Sequence, residues 1–282
     1  MLLGILLFSV NDVMGKWLVA TYSVGQVLLF RSLAALPLLL PFAGRSGRWA
    51  IFYRERVGLQ ALRAVLSTAE VLLFYWAVVF LPLADVVTYY LAAPIYVAAT
   101  APLLLGERVG WRRWAAIAVG FAGVVIALNP SRAALTWPAL IPLVGSVAFA
   151  LMMITGRQLR GVPDVSLVFW QTAGALAAGA ATVGIGWVTP GPRDLALLAL
   201  LGVVATGAHL CVNRSLKLAD AAVVTPFQYL LLVWALLFGF VIFGDVPKPS
   251  TLAGAAIIVA SGLFILLGQA HRVREASPSP PA

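Results

Sequence analysis

Five charged side chains and one histidine interrupt runs that are otherwise apolar: Asp12, Lys16, Arg31, Arg63, Glu70 and His209. In hydrocarbon each charge costs at least about 2.5–3.5 kcal/mol on insertion scales, so each must serve either helix packing or a ligand. Asp12 and Lys16 lie one helical turn apart and can pair on one face. Arg63 and Glu70 share a face two turns apart, while His209 stacks on Asn213 at one-turn spacing, as Asn11 does on Gly15. Lys16 or Arg31 can hold a carboxylate, and Asp12 or Glu70 an ammonium; together they suit a zwitterion such as an amino acid. A buried carboxylate can also take up and release a proton. The competing reading is a set of internal ion pairs that only fix the helices. For Arg63, near a helix end, packing is the preferred role, with the head group snorkelling to the interface. His209 is expected to be a hydrogen-bonded interior histidine.

Prolines and aromatics mark a second set of candidates. One segment carries Tyr89, Tyr90, Pro94 and Tyr96, and another carries Pro226, Phe227, Gln228, Tyr229 and Trp234. A proline inside a helix frees a carbonyl and kinks the chain, which is tolerated at membrane depth where backbone lines a cavity. Tyr90, Tyr229 and the Gln228 amide would then offer hydrogen bonds at the centre. Trp17, Trp49, Trp111, Trp137 and Trp187 lie near segment ends and read as interfacial belt residues.

The elements that must hold these residues follow from composition. The chain has 282 residues, of which 62% are hydrophobic and 10% charged. A soluble domain carries about 25% charge, so the composition points to lipid. Crossing the hydrocarbon core takes about 20 apolar residues. Ten segments qualify, near 2–20, 24–41, 58–80, 84–105, 111–128, 137–156, 165–188, 194–214, 221–243 and 251–269. Their length and lack of alternation exclude a β-barrel. The expected fold is an all-α integral membrane bundle of ten helices. The formal net charge of +9 is not a nucleic-acid footprint, because lysine and arginine concentrate in the loops on one side. That asymmetry places both termini in the cytoplasm. The loop 43–57, with four arginines and three aromatics, is expected to lie along the inner membrane surface against anionic lipid. A single cysteine, Cys211, excludes an intramolecular disulfide, and two histidines leave no basis for a metal site. The Pro/Ser-rich tail cannot build a core.

The chain states its plan twice. Leu83-Ala84-Asp85 and Leu218-Ala219-Asp220 each open an apolar pair broken at Gly106-Glu107 and Gly244-Asp245, at an offset of about 138. Upstream, Phe8, Gly15, Lys16, Leu18 and Val24 meet Phe149, Gly156, Arg157, Leu159 and Val165, and Arg31 meets Thr172. The expected division is a five-helix repeat over 1–128, a linker over 129–136, a second repeat over 137–269 and a disordered cytoplasmic tail over 270–282. An odd number of spans inverts the second copy, and inverted repeats place a binding site near midplane between the halves.

These motifs carry a resemblance. The Pro94…Leu103-Leu104-Leu105-Gly106-Glu107 ending and the stretch Pro226 to Asp245 (PFQY…GFVIFGD) resemble the drug/metabolite transporter superfamily and, within it, the EamA group. The second copy has Asp where the family more often has Glu. The resemblance covers nearly the whole chain and implies a secondary transporter of the bacterial inner membrane working by alternating access. The tyrosine- and tryptophan-rich helices are similar to those of aromatic and neutral amino-acid exporters, which makes amino-acid export the leading expectation. A nucleotide-like or vitamin substrate, with import as well as export open, is the alternative.

The expected substrate-binding residues are Asn11, Asp12, Lys16, Arg31, Glu70, Tyr90, Pro94, His209, Asn213, Pro226, Gln228, Tyr229 and Trp234. No ATP-binding signature is present, so energy would come from the substrate's own gradient or a coupled ion such as a proton. A membrane-embedded enzyme is disfavoured: His209 with Ser215 is the only start towards a nucleophile and base, and the two sit on different faces. A channel is disfavoured by the lack of a repeated ring of like charges. No cofactor is expected.

Overall fold

The computed structural model describes residues 1–45, 55–81, 83–106, 110–128 and 137–243, with isolated positions between 249 and 264. Most of the loop 43–57, the linker 129–136, Glu107, Gly244, Asp245, most of the tenth segment and the tail 270–282 lie outside the described residues. Among the described residues the chain is helical, without strands. The helices are α1 (Leu2–Val19), α2 (Val24–Arg45), α3 (Val57–Phe80), α4 (Leu83–Tyr90), α5 (Ala93–Leu104) and α6 (Trp111–Leu128). They continue as α7 (Leu140–Gln158), α8 (Asp164–Thr182), α9 (Pro192–Leu218), α10 (Ala221–Val224) and α11 (Leu230–Phe243).

Six stretches are long and apolar enough to cross a membrane: Leu2–Val19, Val24–Pro41, Val57–Phe80, Trp137–Gln158, Asp164–Thr182 and Pro192–Leu218. The protein is therefore a multi-pass membrane protein. Ala93–Leu104, Trp114–Gly123 and Phe227–Ile242 are apolar but shorter. The seventh expected segment, 165–188, ends as helix at Thr182 and continues as a turn.

Two of the ten expected spans are not continuous. The stretch 84–105 divides into α4 and α5 around Leu91 and Ala92, and the stretch 221–243 divides into α10, a 3-10 turn (Thr225–Tyr229) and α11. The cause is local: Pro94 has no N–H for the Tyr90 carbonyl, and Pro226 has none for Ala222. Hydropathy is blind to this break, because the residues remain apolar across it. Proline alone does not dictate one either, since Pro37 and Pro41 sit inside an unbroken α2.

The helices of the first half contact those of the second in a reciprocal pattern. α1 lies on α9 as α7 lies on α3, α2 crosses α8, and the α2–α9 contact mirrors the α8–α3 contact. α5 rests on α7 as α11 rests on α1. The close crossing of α9 over α2 requires Gly202, because a Cβ there would overlap the Arg31 carbonyl oxygen. Polar bonds tie both ends of the bundle. At one end the Tyr22 hydroxyl donates to Asp194 at 2.7 Å, and Gln26 exchanges two hydrogen bonds with the Val188 backbone at 2.7 and 3.0 Å. At the other, Arg157 pairs with Asp220 at 2.9 Å and Lys217 with Asp164 at 2.7 Å.

Candidate functional site

Arg31, from the middle of α2, is the centre of the buried polar chemistry. It is only 8% exposed, and its Nη1 donates to the Tyr75 hydroxyl at 3.0 Å. The guanidinium carbon lies 5.7 Å from the Tyr75 ring centroid, so the ring also meets the cation over its face. Gly15 makes this geometry available: a Cβ at that position would overlap the Tyr75 ring and hydroxyl. Neither Arg31 nor Arg63 makes an ion pair with a carboxylate among the described residues.

Two internal cavities meet at Arg31, Val71 and His209. The first is hydroxyl- and amide-rich, with Ser32, Ser67, Gln171, Thr172 and Thr206 in its wall. The Thr172 and Thr206 hydroxyls donate to the Val168 and Gly202 carbonyls at 2.7 and 2.8 Å, leaving oxygen lone pairs to accept from a ligand. The buried Ser32 hydroxyl has no hydrogen-bond partner among the described residues. The second cavity sets Asn11, Asp12 and Glu70 among the rings of Phe8, Phe74 and Tyr75. Asn11 Nδ2 donates to Asp12 at 3.2 Å, and His209 meets Phe8 edge-on at 5.0 Å between centroids. One cavity therefore offers hydrogen bonds to hydroxyls and amides, and the other offers aromatic faces and carboxylates.

Of the expected site residues, Asn11, Asp12, Arg31, Glu70 and His209 come together here. Thr172, the repeat counterpart of Arg31, lines the same cavity as Arg31. His209 is a wall residue shared by both cavities. Lys16 lines neither.

Residues of the broken helices are not among the described wall residues of these two cavities. The Tyr90 hydroxyl donates to the Glu70 backbone carbonyl at 3.1 Å, with its ring edge-on to Phe74 and its hydroxyl against Gly145. The Tyr229 hydroxyl donates to the Ile117 carbonyl at 3.1 Å, and Gln228 Nε2 to the Met153 sulfur at 2.6 Å. Trp234 stacks on Phe238. Pro94 is buried beside the break, and the side chain of Pro226 lies outside the described residues. The Tyr90 and Tyr229 hydroxyls and the Gln228 amide nitrogen thus tie helices to one another, while the buried Gln228 Oε1 has no partner among the described residues.

Asn213 joins Arg63 instead of the cavities. Arg63 is 2% exposed, so it does not snorkel; it donates to Gln171 Oε1 at 2.9 Å and Asn213 Oδ1 at 2.7 Å. Ser215 donates to the Cys211 carbonyl at 2.8 Å, which leaves it in no relation to His209 that would make a nucleophile. Phe74, Tyr75, Ser32, Ser67, Gln171 and Thr206 were not among the expected site residues. Uncharged hydroxyls, amides and rings are cheap inside a helix, so none raised the alarm that a buried charge does.

Comparison with known proteins decides the family. The model of the EamA-like transporter family matches residues 1–129 and 136–267. The chain belongs to the EamA-like transporter family. Among its relatives in that family is an S-adenosylmethionine uptake transporter of Rickettsia prowazekii (strain Madrid E), 27% identical over 269 residues, or 95% of this chain and 91% of the relative. A riboflavin transporter of Rhizobium johnstonii is 29% identical over 280 residues, covering 98% and 92%. A riboflavin transporter of Vibrio cholerae is 26% identical over 251 residues. One solved crystal structure superposes with a TM-score of 0.80 over 96% of both chains at 17% identity, which establishes a shared fold alone. Family and relatives are transporters of small molecules, not enzymes.

Proposed function

We propose that this protein is a secondary transporter that carries a metabolite with a flat ring and a polar tail, of nucleoside-like or vitamin-like chemistry, across a bacterial inner membrane. The observation that carries the reading is the pair of cavities joined at Arg31. Rings of Phe8, Phe74 and Tyr75 suit a planar heterocycle, while Ser32, Ser67, Gln171, Thr172 and Thr206 suit hydroxyls and amides. Relatives named for S-adenosylmethionine and riboflavin favour this substrate class over the amino-acid export expected from aromatic content.

The architecture that serves it is ten spans in two five-helix repeats of opposite orientation, with both termini cytoplasmic. The reciprocal contacts of α1–α9 with α7–α3 support that arrangement. Rocking of the halves would open in turn the end where Tyr22 bonds Asp194 and the end where Ser166 of the second half bonds Gln60 of the first. Asp12 and Glu70 are the groups through which a proton would couple.

Proteoliposomes holding the purified protein test the reading. Saturable uptake of labelled S-adenosylmethionine or riboflavin is expected, with Arg31→Gln inactive at unchanged protein content. Saturable flux of tyrosine or leucine with neither of those two carried would return the assignment to amino-acid transport.

A further inference from the structure

The buried arginine of α3 sits in an environment with a surplus of donors. A guanidinium has only N–H donors, so both neighbouring amides must turn their oxygens towards Arg63. Their NH₂ groups are thereby directed elsewhere. Neither of these groups, nor Arg63 Nε, finds a partner: Gln171 Nε2, Asn213 Nδ2 and Arg63 Nε are all buried without a hydrogen bond among the described residues. Gln171 and Asn213 are each 3% exposed, and no acidic side chain pairs with the cation. The acid coupled to it electrostatically, Asp164, is bonded to Lys217 at 2.7 Å.

An unpaired buried charge and unmet buried donors are each costly, and here every deficit has the same sign. All three open positions call for an acceptor, and the local charge calls for a negative one. Gln171 also lines the first cavity, so the cluster adjoins the cavities around Arg31. The cluster joins α3 of the first half to α8 and α9 of the second, at an interface that must rearrange if the halves rock. Gly156 of α7 abuts the same guanidinium edge, 3.4 Å from Arg63 Nε to the place of an added Cβ.

We propose that Arg63, Gln171 and Asn213 form a second buried binding site, beyond the Arg31 cavities, for an anionic acceptor group: a carboxylate or a halide. The carboxylate would belong to the transported molecule and the halide would be a coupled or structural ion. The proposal concerns binding, so it stands or falls separately from the substrate assigned above.

The test is thermal unfolding of the full-length protein in detergent, followed by tryptophan fluorescence. Sodium chloride or sodium acetate is titrated at constant ionic strength against a bulky sulfonate. Stabilisation by a ligand grows with the logarithm of its concentration, so Tm should rise by roughly 3–5 °C per tenfold increase above the dissociation constant. Asn213→Leu should lose the response. Gln171→Glu, which places a carboxylate beside the guanidinium, should melt higher than the wild type and ignore added anions. A response to acetate alone assigns the site to a substrate carboxylate; chloride alone assigns it to an inorganic ion; both support the shared chemistry. Identical titrations of wild type and Gln171→Glu, with no anion raising Tm, would overturn the proposal and leave water as the partner of the open donors.

Discussion

Two arginines are buried among the described residues, and their surroundings differ in kind. Arg31 on α2 meets a phenol and opens onto cavities with acidic and hydroxylic walls, whereas Arg63 on α3 is gripped by two amide oxygens. The first arrangement leaves most guanidinium donors free for something that comes and goes. The second uses the guanidinium to hold α3 against α8 and α9. A buried cation is therefore not by itself a sign of a transport site. What distinguishes the two is what each guanidinium meets first: a phenol in a cavity wall, or the amide oxygens of two neighbouring helices.

The comparison breaks most sharply if the two arginines respond alike to the same change. Arg31→Lys removes the planar fork that meets Tyr75, and uptake in proteoliposomes should fall by at least about a hundredfold with Tm little changed. Arg63→Lys should act on stability: one ammonium on a shorter stem replaces the two separate nitrogens that reach Gln171 and Asn213, and a charged hydrogen bond is worth about 1.5–3 kcal/mol, visible as a lower melting temperature in detergent. Equal losses of flux and equal losses of stability would erase the distinction.

Gly15→Leu drives a side chain into the space of the Tyr75 ring, so uptake should drop about tenfold or more while protein yield holds. Tyr75→Phe removes only the hydroxyl that Arg31 bonds. A net hydrogen bond of about 0.5–1.5 kcal/mol gives a rise in KM of several-fold, up to about tenfold. The smallest effect on flux belongs to Tyr229→Phe. Its hydroxyl serves the Ile117 carbonyl and not the cavities, so transport should stay within about twofold of wild type while stability drops by about 1 kcal/mol.

The positions of Arg31 and Asp12 were legible because charge in hydrocarbon is expensive enough to stand out in any apolar run. Thr172 was legible for a different reason, since the repeat pairs it with Arg31. The same logic says nothing of the partners that Tyr90, Gln228 and Tyr229 take in the fold. Their types suit a ligand, but each also suits a neighbouring backbone carbonyl or thioether, and the sequence carries no mark of which partner is within reach. Gln171 escaped notice because an amide in a helix costs little until a buried guanidinium orients it.

The sequence by itself determined that this chain lives in lipid and which few side chains violate the apolar rule. Those are properties of composition and spacing, and they survive without coordinates. The tertiary structure decided which violations meet. Asp12, Arg31, Glu70 and His209 come from α1, α2, α3 and α9, and their convergence depends on the rotation of each helix about its axis and on contacts between the halves. A rotation of a fraction of a turn redirects a side chain from a cavity to a neighbouring helix, and no periodicity within one helix sets that angle.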